Sequence, residues 1–168
     1  TAQTDKTAEA TENTQAQPEN KINLSELGTR VGEQYYYLDI TEDYIENILS
    51  LDSSRFVVLH SQAGYDVSDS AFVTVFDLMT GEKNQLLVEE GSYATIATIS
   101  GHIAVMRAND GTLTVYNDKL EKTDEWTFPT NDETVNAIIY LSEDKAAVRG
   151  IDNKISLVEV DESGKLLI

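Results

Sequence analysis

Cysteine is absent from the 168-residue sequence, so disulfides, thiolate metal sites and cysteine nucleophiles are excluded. Histidine occurs only as His60 and His102, which leaves little room for histidine-based metal centres or catalytic triads. Basic side chains number 12 against 30 acidic ones, a formal charge of −18 that excludes a surface built for nucleic acid or anionic lipid. No apolar run approaches the 18 residues a membrane-spanning helix needs, so no transmembrane segment is expected. Gly-x-Ser-x-Gly, Walker-type and dinucleotide motifs are also missing, as are paired carboxylates at strand positions that would mark a glycosidase. What is present is a 40% apolar content, enough to fill the core of one domain of ordinary size.

Residues 1–21, TAQTDKTAEATENTQAQPENK, contain no Val, Leu, Ile, Phe, Tyr, Trp or Met. Such a segment has nothing to bury and is expected to be disordered. Its composition resembles the polar tether behind the lipid-bearing cysteine of bacterial surface lipoproteins, which implies an extracytoplasmic, tethered protein; an ordinary frayed terminus is the plainer reading. Residues 22–43 form a lead-in. INLSELGTRVG, residues 22–32, suits a turn or short helix, and QYYYLDI, residues 34–40, reads as an aromatic-rich strand.

From residue 44 the sequence repeats itself, in units of about 44–92, 93–134 and 135–168. First strands are NILSLD, TIATIS and AIIYLS, which align Leu51, Ile99 and Leu141. Second strands are RFVVLH, HIAVMR and DKAAVR, with Val58, Val105 and Ala147 together. Third strands are FVTVFD, TLTVYN and ISLVE, aligning Thr74, Thr114 and Ser156. Fourth strands are QLLVE, EWTFP and KLLI. The period of about 40–50 residues, with four short strands apolar on both faces, points to β-propeller blades, each covered by a neighbour on either side. The alternative fold is a β-sandwich or an irregular all-β domain.

The segments FDLMTGEKNQLL, YNDKLEKTDEWTF and VEVDESGKLLI resemble the repeat of PQQ-like propellers: a strand ends in Asp or Asn, a Thr-Gly-Lys type turn follows, and a Trp or other apolar residue opens the outer strand. Asp77, Thr80, Gly81 and Glu82 carry the best match, and Trp126 takes the outer-strand position. WD-repeat blades are similar, although no Trp-Asp pair occurs and Gly101-His102 precedes a second strand. Propellers close with about four to eight blades, so three imply a partial ring, with the remaining blades supplied by the same chain or a partner chain. In many propellers an N-terminal strand completes the last blade, a role open to residues 34–40.

The repeat alignment puts His60, Arg107 and Arg149 at the end of the second strand, before loops that in propellers open on the ligand face. Three cationic groups there could hold a carboxylate or phosphate. The plainer reading pairs each with a loop acid such as Asp66, Asp110 or Asp152. Asp66 and Asp69, with Ser68 and Ser70 beside them, offer oxygen ligands for calcium, against a merely solvated loop. NDG, residues 109–111, is a turn signal. Tyr35 and Tyr37 share one strand face and suit either a sugar-stacking platform or packing; His102 is expected to be a turn residue.

The functional expectation is a non-catalytic extracytoplasmic binding or scaffold module on a β-propeller, with a protein or glycan ligand and no cofactor. The alternative is the N-terminal part of a propeller enzyme, of lyase, lactonase or quinoprotein dehydrogenase type, with its active site at the ring centre.

Overall fold

A computed structural model of the chain describes residues 28–31, 35–38, 44–61, 70–90, 94–108, 110–130, 137–150 and 154–168. Among these residues there is no helix; the fold is all-β. Strands β1 (Gly28–Val31) and β2 (Tyr35–Leu38) pair antiparallel as a two-stranded sheet. A strand therefore stands at Gly28–Val31, where a turn or short helix was expected. The aromatic strand takes β1 as its partner, and among the described strands it joins none of the larger sheets.

Three four-stranded antiparallel sheets follow in strict chain order. The first holds β3 (Tyr44–Ser50), β4 (Arg55–Ser61), β5 (Ser70–Asp77) and β6 (Lys83–Glu90). The second holds β7 (Ala94–Ile99), β8 (His102–Arg107), β9 (Thr112–Tyr116) and β10 (Lys122–Thr127). The third holds β11 (Ala137–Ser142), β12 (Lys145–Arg149), β13 (Ile155–Val160) and β14 (Leu166–Leu167). The repeats are thus blade-like sheets that do not close into a ring.

Both faces of the middle sheet are buried, which is why its strands are apolar without alternation. One face sends Ala94, Ile96, Ile103 and Val105 into a core shared with Val57, Leu59, Val73 and Val75 of the first sheet. The other sends Ala97, Ala104, Met106, Leu113 and Val115 against Ile138, Ala146, Val148, Val158 and Val160 of the third. Each fully buried Ile, Leu or Met contributes roughly 1.5–3 kcal/mol by leaving water. Polar bonds add direction: Ile138 N donates to Thr95 Oγ1 at 2.9 Å, and Leu166 N donates to Asp124 Oδ2 at 2.8 Å. First strands are neighbours, with β7 beside both β3 and β11.

The third-to-fourth strand turns share one device. Asp77 Oδ1 accepts from Met79 N at 2.7 Å, Asn117 Oδ1 from Lys119 N at 2.9 Å, and Asp161 Oδ1 from Ser163 N at 2.9 Å. Each turn then passes through a positive φ, at Gly81 (76°), Leu120 (63°) and Gly164 (83°). This is the physical content of the Asp/Asn-to-Gly pattern in the sequence.

In the third sheet the second strand is offset by one residue from the sequence alignment. Val58 pairs with Thr74 and Val105 with Thr114, but the partner of Ser156 is Val148, not Ala147. A bulge between Tyr140 and Ser142 adds a residue to β11 and shifts β12 by one against a simple count.

Candidate functional site

That one-residue shift decides how the three candidate cations are arranged, because successive side chains on a strand point to opposite faces. His60 and Arg107 lie two residues beyond Val58 and Val105, at equivalent ladder positions. The corresponding residue of the third sheet is Gly150. Arg149 falls one short of it, on the opposite face of its sheet, and is exposed.

His60 is only 2% exposed and faces away from the second sheet. Its Nε2 lies 2.8 Å from Thr74 Oγ1, and its ring stacks on Phe72 with centroids 5.5 Å apart. Arg107 faces the first sheet and pairs through Nη2 with Asp110 Oδ2 at 2.6 Å. Its charge also reaches the Tyr116 hydroxyl, whose pKa is raised by burial against smaller lowering effects of the Thr114 hydroxyl and Arg107. The register therefore brings His60 and Arg107 to matching places on different sheets and leaves Arg149 on another surface. Asp66, Asp69 and Asp152 lie outside the described residues, as does Asn109 of the NDG turn. Asp110 Oδ1 accepts from Thr112 N at 2.9 Å, and Gly111 has a φ of 70°. Among the described residues no group of three or more His, Asp or Glu side chains is gathered to hold a metal. His102 sits at the β7–β8 turn with Nδ1 3.0 Å from the Ser100 carbonyl.

A cavity of about 720 Å³ lies at the other end of the stack, where the β3–β4, β7–β8 and β11–β12 turns meet. Its apolar part is Leu49, Leu51 and the ring of Tyr140; its polar part is Ser50, Asp52, Ser53, Thr98, Ser100 and Glu143. The β7–β8 and β11–β12 turns are joined by Ser100 N donating to the Glu143 carbonyl at 2.5 Å. Asp52 is fixed in position: Oδ1 accepts from the Ser54 and Arg55 amides, both at 2.8 Å, and Oδ2 meets Arg55 Nη2 at 2.7 Å. Burial pushes the Asp52 pKa up, but the Ser54 and Arg55 amides and the Arg55 guanidinium outweigh it and bring the value down to about 2. The described lining thus offers carboxylates, hydroxyls and one phenol ring beside an aliphatic floor. Such a surface can accept and donate hydrogen bonds to a hydroxyl-rich ligand.

This cavity was not legible as a site in the sequence. Its residues sit in three hairpin turns that are ordinary taken singly. The available signal was that all three turns are equivalent in the repeat and all carry Ser with Asp, Gly or Glu: Asp52-Ser53, Ser100-Gly101, Ser142-Glu143.

No family model matches the chain, and no curated protein matches it. Among solved structures it is similar to a protein of unknown function from Bacteroides caccae, at 9% identity and a TM-score of 0.39, over 80% of this chain and 63% of that one. The chain therefore spans less than two thirds of that protein's length.

Proposed function

We propose that the protein is a non-catalytic binding module, a portion of a β-propeller of the PQQ-like or WD-repeat-like kind, whose ligand site is the cavity at the meeting of the three hairpin turns. The observation that carries this reading is that equivalent turns of all three repeats converge on one concave surface of hydroxyls, carboxylates and a tyrosine ring. The ligand class it fits is a neutral glycan, whose hydroxyls pair with Ser53, Ser100 and Glu143 while a sugar face lies on Tyr140. In this reading the module works outside the cytoplasm, held by the polar segment 1–21; that segment's lack of apolar side chains supports a tether.

The test is a titration of the isotope-labelled chain with neutral oligosaccharides, followed by amide NMR. Shifts centred on Ser53, Ser100, Gly101 and Tyr140, weakened at least tenfold in affinity by Tyr140→Ala, are expected. Shifts centred instead on Arg107 and Arg149 with anionic ligands would return the site to the opposite end of the strands. Localisation is checked separately by cell fractionation, where a cytosolic pool alone would remove the extracytoplasmic part.

A further inference from the structure

The third sheet carries an aliphatic face that none of the described strands covers. It faces away from the second sheet, and its middle row is Ile139, Ala147 and Leu157, paired across β11, β12 and β13. Ile139 is 57% exposed and Leu157 60%; the next row holds Arg149 and Ile155, the latter 70% exposed. At the other end Leu167, 50% exposed, stands opposite Glu159, which pairs with Lys145 at 2.7 Å. An aliphatic sheet face of this kind on a protein surface marks an interaction site.

The repeat identifies what it meets. In the first sheet the same ladder positions hold Leu49, Val57 and Val75, and they pack on the second sheet. In the second sheet they hold Ala97, Ala104 and Val115, and they pack on the third. The chain thus performs one stacking step twice in the same sense. A third identical step lands on Ile139, Ala147 and Leu157.

Charge also favours contact here. Residues 137–168 carry six acidic and four basic side chains, a net −2 of the chain's −18, so this end is the least self-repelling part of the molecule.

We infer that the exposed face of the third sheet is a docking surface for a further four-stranded antiparallel sheet of the same repeat, one that presents an Ile/Val-rich face like that of Ile138, Val148 and Val158. The outer side of the first sheet, which a second copy stacking head to tail would present, is built differently: on its central strands Val58, His60 and Phe76 are 0–3% exposed, and its open apolar side chains, Ile45 (47%), Ile48 (54%) and Leu87 (45%), stand on the edge strands β3 and β6. The inference is independent of what the cavity holds.

The test joins a second copy of residues 131–168 after Ile168 of the full chain. Because stability in such stacks sums repeat and neighbour-interface contributions, the melting temperature is expected to rise by roughly 5–10 °C in a single transition. Leu157→Lys in the original repeat is expected to cancel that rise while leaving the melting temperature of the unextended chain within error, since the side chain there is exposed. A parallel extension by residues 91–130 guards against one appended repeat failing to fold. The inference is overturned if both extensions melt separately or are cut away by protease from an unaltered chain. It is equally overturned if sedimentation shows the unextended chain to be a dimer that Ile155→Lys converts to monomer, because the occupant is then a second copy.

Discussion

Arg55 of β4 and Asp118 of the β9–β10 turn, 63 residues apart, meet with Nη1 2.5 Å from Oδ2 and tie the first sheet to the second. The same guanidinium holds Asp52 through Nε at 2.7 Å, so one side chain fixes a cavity-lining turn and an inter-sheet contact together. The Arg55 pKa is raised by Asp118 and Asp52, and that of Asp118 is lowered chiefly by Arg55.

The pH dependence follows from the two carboxylates. Asp52 is held at about 2 in the folded chain and Asp118 below its usual range, against roughly 3.9 when unfolded. A depressed folded value means that the unfolded chain takes up protons first on acidification. Their stabilisation is therefore complete above about pH 4 and is lost as pH falls toward about 2. Both carboxylates are more than a third exposed, so solvent screening holds the contribution of each pair to about 1 kcal/mol or less. Arg55→Leu is expected to lower stability at pH 7 by about that amount and to flatten the acid limb between pH 4 and 2, as read from urea melts across pH.

His60 and Arg149 are expected to part company on truncation. His60→Ala removes a buried ring stacked on Phe72 and strands the Thr74 hydroxyl, at a cost of about 2–4 kcal/mol. Arg149→Ala, at an exposed position, should stay within about 0.5 kcal/mol. Denaturant melts of the two variants measure this; equal small effects would mean that the His60 environment is not a packed one.

Gly164 has a φ of 83°, and a Cβ there would lie 2.5 Å from Thr123 Oγ1 and 2.9 Å from His102 Cδ2. Thr123 Oγ1 itself donates to the Gly164 carbonyl at 2.9 Å across the second and third sheets. Gly164→Ala therefore combines backbone strain with a clash at a sheet junction, and should destabilise by about 1–3 kcal/mol in thermal unfolding. Gly101, with φ 75° and nothing within 4 Å of the added Cβ, is the control in which backbone strain acts alone.

Thr95→Val keeps the shape of a β-branched side chain but leaves the Ile138 amide without its 2.9 Å acceptor. A cost of about 1–2 kcal/mol is expected, restored by Thr95→Ser. Hydrogen exchange at the Ile138 amide should accelerate in the valine variant. Unchanged exchange would show that the bond does not join the first strands of the two sheets.

The sequence alone determined the all-β class, the three units and nearly every strand, because these depend on local quantities: short apolar runs, Asp or Asn at turn heads, and a Gly placed where φ turns positive. It also carried the two-sided apolar pattern that makes the middle sheet a filling between neighbours. Tertiary structure decided which face each side chain takes. A single bulge beside Leu141 moved Arg149 off the ladder position of His60 and Arg107, and no composition or spacing argument registers one extra residue inside a strand. Position along the chain likewise could not separate the fully buried Val115 from the 60% exposed Leu157, two residues at the same place in their repeats. Burial depends on what lies against a sheet, and that is set only when the sheets stack.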